Sequence, residues 1–152
     1  MTSINYDDIF NSFLGEITDY DIAALSESDA DEMMTEWLHK AIYNPHITDL
    51  FSSVTLDDET HILTYEMRIA RDDILDKGFV INLLGKAVAY EWISPQVNNV
   101  TNLQQFFGSA DQRWFAQSAH LSQLRTLKSD LNLQMRSLVD NRSLHHNEYL
   151  EG

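Results

Sequence analysis

Any chemistry in this chain would have to come from histidines and carboxylates, because it has six histidines, 24 acidic residues and no cysteine. Lack of cysteine removes disulfides, thiolate zinc sites and thiol nucleophiles together, and is compatible with a reducing compartment. Glu36 and His39 stand three apart in a helical pattern, a spacing that di-metal bundles use to put two ligands on one helix face. Such a site needs a second copy on another helix, and Glu91 has no histidine three residues on. His145 and His146 are adjacent, so on a helix they point about 100° apart and make a weak chelator. With His46, His61 and His120 scattered, the set reads as surface histidines. Asp57-Asp58-Glu59 lacks the glycine and alternate oxygen ligands of an EF-hand loop and reads as a solvated turn. There is no phosphate loop, nucleophile elbow or HExxH, and five glycines leave little room for a phosphate cradle. Trp37, Trp92 and Trp114 fall on apolar helical faces and read as core. No catalytic, cofactor or metal set is assigned, and the chain reads as non-enzymatic.

The elements that would position these residues are mostly helices. Residues 77–95 form the longest nearly uncharged apolar run, with Phe79, Val80, Leu83, Leu84, Ala87, Val88, Trp92 and Ile93 at helical steps. Asp72, Asp73 and Asp76 suit its first turn, and Pro95 is expected to end it. Lys77, Asn82, Lys86, Glu91 and Gly85 make it a core helix rather than a membrane span. Before it, residues 5–17 predict a helix with Asn5 as N-cap and Ile9, Phe10, Phe13, Leu14 and Ile17 inward. A second short piece carries Tyr20, Ile22 and Leu25. Ser28 with Asp31 caps a third helix over 29–43 that buries Met33, Met34, Trp37, Leu38, Ala41 and Ile42 until Pro45, and residues 47–52 offer one more turn. Between 54 and 69 the pattern turns β-branched and alternating, which suits a strand or hairpin arm that pairs with residues 54–56 across Asp57-Asp58-Glu59 or with a neighbouring subunit. Thr101 with Gln104 caps a short helix ending at Gly108. Ser109 with Gln112 starts a long one, with Trp114, Phe115, Leu121, Leu124, Leu127, Leu131, Met135 and Leu138 inward.

This predicts a mainly α fold, a helical bundle with a long C-terminal helix and one short β-hairpin or strand around 54–69. A single domain covers residues 1–140, and 141–152 is an exposed polar tail or docking arm. The first ten residues lack a basic region and an apolar core, so no signal peptide is read, and a soluble intracellular chain is expected. The net charge of −14 is concentrated early, with ten acids and no Lys or Arg before Lys40, against five of each over 109–152. That balance disfavours direct binding to phosphates. It fits a solvated acidic face, docking to a basic protein ring, or mimicry of DNA.

Three stretches carry a resemblance. They are Tyr6-Asp7-Asp8-Ile9-Phe10 with Phe13-Leu14 and Ile17-x-Asp19-Tyr20-Asp21; Gly85-Lys86-Ala87 through Glu91-Trp92-Ile93-x-Pro95; and Gln117-Ser118-Ala119-His120-Leu121. Together they resemble small virion proteins encoded near the capsid and tail genes of tailed bacteriophages. In particular the chain is similar to helical head-tail connector proteins, also called head-completion or adaptor proteins. The resemblance covers most of the chain and implies a dodecameric ring in the virion neck, assembled from copies of this chain between the portal protein and the next neck or tail ring. DNA would be only a passing molecule, repelled by acids such as Asp7, Asp8, Asp19 and Asp21. The tail would dock with Leu144, Tyr149 and Leu150 as its apolar anchors. No cofactor and no membrane enter this reading.

Two readings from other classes stand beside it. An acidic inhibitor that mimics DNA would bind a basic nuclease or repressor in a salt-sensitive way, and a metal-dependent helical enzyme would hold stoichiometric metal. Removal of the residues after Asp140 is expected to leave folding intact and abolish assembly; circular dichroism and light scattering on the truncated chain test it, and an unfolded product refutes it.

Overall fold

Where the helical pattern breaks, alternation of Leu63, Tyr65 and Met67 with Ile62, Thr64 and Glu66 builds a strand that is buried on one face. The structure is a computed structural model that describes the backbone of residues 1–16, 27–107 and 112–151, with side chains described in those spans except at 27–30, 96, 98–107, 112–121 and 143–151. Its element order begins with β1 (Thr2–Asn5), α1 (Tyr6–Glu16), α2 (Glu27–Ile42) and α3 (Pro45–Thr48). β2 (Phe51–Asp57), β3 (Ile62–Met67), α4 (Asp73–Phe107) and α5 (Gln112–Glu151) follow. The fold is mainly helical with one small antiparallel sheet of order β1-β3-β2.

Of the strand or hairpin expected here, the hairpin is what forms, paired within the chain and longer than its β-branched centre, from Phe51↔Met67 to Asp57↔Ile62. A bulge between Phe51 and Ser53 turns Phe51 back onto the core face, where its ring meets Tyr65 edge-on at 5.7 Å. β1 is the element that the sequence hides. Asn5, expected as a helix cap, is instead the last residue of a strand that pairs Thr2↔Tyr65 through Asn5↔Ile62. The sheet buries Ile4, Leu63, Tyr65, Met67 and Phe51 on one side. Ser3, Thr64 and Thr55 form a polar row on the other, with Ser3 Oγ 3.3 Å from Thr64 Oγ1.

α1 buries Tyr6, Ile9, Phe10 and Phe13, as its spacing requires, and leaves Leu14 exposed. α2 buries Met34, Trp37, Leu38, Ala41 and Ile42, and Trp37 packs edge-on to Phe13 at 5.8 Å. Met33 was expected in that stripe but is exposed, one residue and about 100° off it. Pro45 ends α2 and opens α3, capped by Asn44, whose Oδ1 accepts from the His46 N–H at 3.1 Å. The extra turn expected at 47–52 therefore falls at 45–48, and the chain is already a strand from Phe51. The short piece around Tyr20, Ile22 and Leu25 lies outside the described residues, as do Gly108 and Ser109.

α4 starts where the aspartates predicted. The Asp76 carboxylate is buried and turns back to accept from the Arg71 N–H at 2.9 Å, fixing the chain's entry. Its far end differs from expectation, because the helix passes through Pro95 and takes Thr101 and Gln104 into its interior rather than starting anew there. Pro95 is exposed, so its ring meets solvent, and Ser94 Oγ donates to the Tyr90 carbonyl at 2.7 Å within the same turn. Such a proline weakens a helix without ending it.

The chain divides inside α4 into two compact units, Met1–Ala89 and Tyr90–Gly152. In the second, Trp92, Ile93 and Val97 are buried, as are Leu124, Leu131 and Met135 of α5. With Lys128 and Leu138 these α5 positions recur in steps of four and three, the pattern of a helix seam, and the Lys128 ammonium lies 5.5 Å from the Tyr90 ring centre. The segment after Asp140, read as a tail, is assigned to α5 as far as Glu151.

In the first unit α1 crosses α4 at Gly85. A methyl group at Gly85 would sit 2.7 Å from Ser12 Cβ and 3.2 Å from the Phe13 backbone nitrogen, so only glycine permits the approach. Gly78, by contrast, has open space around it. Alanine should therefore act oppositely at the two sites. Gly78→Ala gains up to about 1 kcal/mol of helix propensity, whereas Gly85→Ala loses a net of roughly 1–3 kcal/mol to overpacking. Urea denaturation of the pair tests this, and equal effects refute the close crossing.

Candidate functional site

The described polar side chains converge most densely at the hairpin loop. Asp57 ends β2 and bends its carboxylate over the loop, where Oδ1 accepts from the N–H groups of Glu59 (3.1 Å) and Thr60 (3.3 Å). The loop closes through His61 in the left-handed region, φ 56°, a conformation that histidine tolerates better than most residues. This geometry presents Asp58 towards the two helices behind it.

Tyr6, the first residue of α1, is held at three points. Its N–H donates to the His61 carbonyl at 2.8 Å, its ring stacks on the His61 imidazole at 5.4 Å and 24°, and its hydroxyl donates to Asp58 Oδ1 at 2.7 Å. From α2, His39 Nε2 lies 2.8 Å from Asp58 Oδ1 and 3.0 Å from Oδ2. Hydrogen bonds from His39 and then Tyr6 hold the Asp58 carboxyl below the usual carboxylate range. Burial, followed by the bond to Asp58, pushes the Tyr6 phenol far above its ordinary value. Tyr6 thus stays a neutral donor and Asp58 an ionised acceptor across the physiological range. The pair fixes geometry; neither member is poised to exchange a proton near neutral pH.

The residues singled out from the sequence fare differently. His39 pairs with Asp58 and not with Glu36, whose carboxylate lies 3.6 Å from Lys40 Nζ one turn on. The acidic triplet is exposed at the turn, as expected, and two of its three carboxylates also hold partners. Asp7 and Asp8 are exposed in the first turn of α1, where they complement the helix dipole. Asp19 and Asp21 lie outside the described residues, as do the side chains of Leu144, Tyr149 and Leu150. Nothing in the sequence joins Tyr6 to Asp58, which stand 52 residues apart. Their only local signals are a tyrosine at a strand-to-helix junction and a histidine at a turn position.

Among the described residues no group of three or more histidine or acidic side chains could hold a metal ion, and no helix is long and apolar enough to cross a membrane. Comparison with protein-family models, curated proteins and solved structures gives no match.

The Asp58 cluster has a checkable pH signature. A depressed folded-state pKa contributes stability that is present above the unfolded value, about 4 for Asp, and is lost as pH falls through the folded value. The stability difference between the native chain and Asp58→Asn should be present at about pH 5 and shrink below about pH 4. Tyr6→Phe should cost about 1–2 kcal/mol at pH 7. Urea denaturation from pH 3 to 7 tests both, and a gap that widens in acid contradicts the assignment.

Proposed function

We propose that this chain is a non-enzymatic structural protein of a tailed-phage neck, one subunit of a dodecameric ring that joins the portal and capsid to the tail while DNA passes. The observation that carries this reading is the exposure of large aliphatic residues at the start of α4. Ile74 is 81% and Leu75 68% exposed, Ile69 is exposed just before them, and Gly78 stands open one turn on. Large aliphatic side chains grouped in this way cost solubility unless another chain covers them, and so point to assembly. The best-organised polar cluster, at Asp58, ties elements of the fold together, which favours a structural role over catalysis. The resemblance of the three sequence stretches to head-tail connectors supplies the setting.

In this reading the subunits meet through heterologous patches that close a ring, with the portal protein on one side and the next neck or tail ring on the other. The exposed Asp7 and Asp8 add to a field that keeps a passing duplex from sticking. Leu144, Tyr149 and Leu150 anchor the end of the chain on a partner. The protein resides in the virion neck after synthesis in the host cytoplasm.

Quantitative peptide mass spectrometry on purified particles tests the proposal. The chain should be present with the portal at about one ring's worth of copies relative to the major capsid protein. Absence from clean particles overturns the proposal and leaves the acidic inhibitor as the better account of the charge.

A further inference from the structure

The sheet has two outer edges, and among the described residues neither pairs with a further strand, although the Arg68 guanidinium donates to the Phe51 carbonyl at the start of β2 (3.5 Å). β3 occupies the centre, so β1 and β2 each pair on one side only, and among the described residues no backbone hydrogen bond runs outward from either. Soluble proteins commonly protect such edges with lysine, proline or an inward charge. Here Thr2-Ser3-Ile4-Asn5 has no charge and no proline, and β2 has none before Asp57 at its end. On a chain with a net charge of −14, two copies repel over most approaches. Between Thr2 and Asn5 and between Phe51 and Leu56 the strands themselves carry no charge, so backbone pairing there adds no repulsion of its own.

Direction narrows the pairing further. β1 and β2 both run antiparallel to β3 and are therefore parallel to each other. When copies are related by rotation about a ring axis, the β1 of the next copy keeps nearly the direction of the first copy's β1, and so lies parallel to the first copy's β2. A two-fold dimer would instead pair like edges, β2 with β2 or β1 with β1.

We propose that the free edge of β2 receives β1 of a second copy of this chain in parallel pairing, so that one sheet continues from subunit to subunit. This deepens the ring reading above by naming its interface.

The lack of cysteine makes the test clean. Ser3 and Thr55 lie on the same face, both opposite Thr64, with β3 between them. Two strand spacings put their Cα atoms about 9.6 Å apart within a chain, beyond the roughly 7 Å that a disulfide can span. A bond between cysteines at these positions must therefore join two copies. Ser3→Cys/Thr55→Cys, with Ser3→Cys/Ser53→Cys to allow for a shift of register, is oxidised at millimolar protein after circular dichroism confirms the native fold. Either variant should give a ladder of trimers and larger species on a non-reducing gel, whereas each single-cysteine control stops at dimers. Folded double variants that stop at dimers overturn the proposal. So does a Ser3→Cys or a Thr55→Cys control that dimerises as completely as the double variants, because it indicates two-fold pairing of like edges. The readout uses the isolated chain, so its failure is distinguishable from absence of the protein from particles.

Discussion

Asp58, in the hairpin loop, offers its two carboxylate oxygens to two helices, and the packing of the first unit depends on how they are shared. The Tyr6 phenol is fully buried at the junction of β1 and α1, and a buried hydroxyl without an acceptor costs roughly 1–3 kcal/mol. Asp58 supplies the acceptor while standing in the hairpin loop itself, and His39 brings α2 to the same group. The loop must hold its shape for this to work. Asp57 and the left-handed His61 maintain that shape, and His61 then covers the Tyr6 ring. One exposed acid thereby couples strand pairing, helix start and helix docking.

The second constraint is how a strongly acidic chain admits charge near its core. Lys86 is the only charge in the apolar stretch of α4 from Gly78 to Tyr90, and its side chain is only 13% exposed. Glu16, in the last turn of α1, lies 2.6 Å from it. A part-buried ammonium tolerates loss of water only when paired so closely. The preceding residue is Gly85, where α1 comes into contact with α4. Two successive residues thus set both the distance and the electrostatics of the crossing, and a shift of α1 by one turn would lose both.

Helical spacing made α1, α2 and the apolar face of α4 legible, because burial of a stripe is a local property of sequence. The hairpin was legible for the same reason, through alternation and an acidic turn. β1 was not, since four residues carry too little alternation and their pairing partner is about 60 residues away. Pro95 misled because its cost depends on whether the ring meets solvent or a neighbour, which the sequence does not state. Thr101 with Gln104 matched a capping pattern that a helix interior can also contain. The Asp58 cluster is the extreme case, because it exists only once three distant elements have met.

That distance also has a consequence in time. Ser3 and Thr64 are separated by 61 positions, which at about 5–20 residues per second is roughly 3–12 s of ribosomal synthesis. Throughout that interval β1 and the inward face of α1 have left the ribosome with no strand to receive them. β2 and β3, joined by a short loop, pair within microseconds of emergence. The hairpin is therefore the template and the N-terminus the late arrival, so the first segment to be made is among the last to find its place.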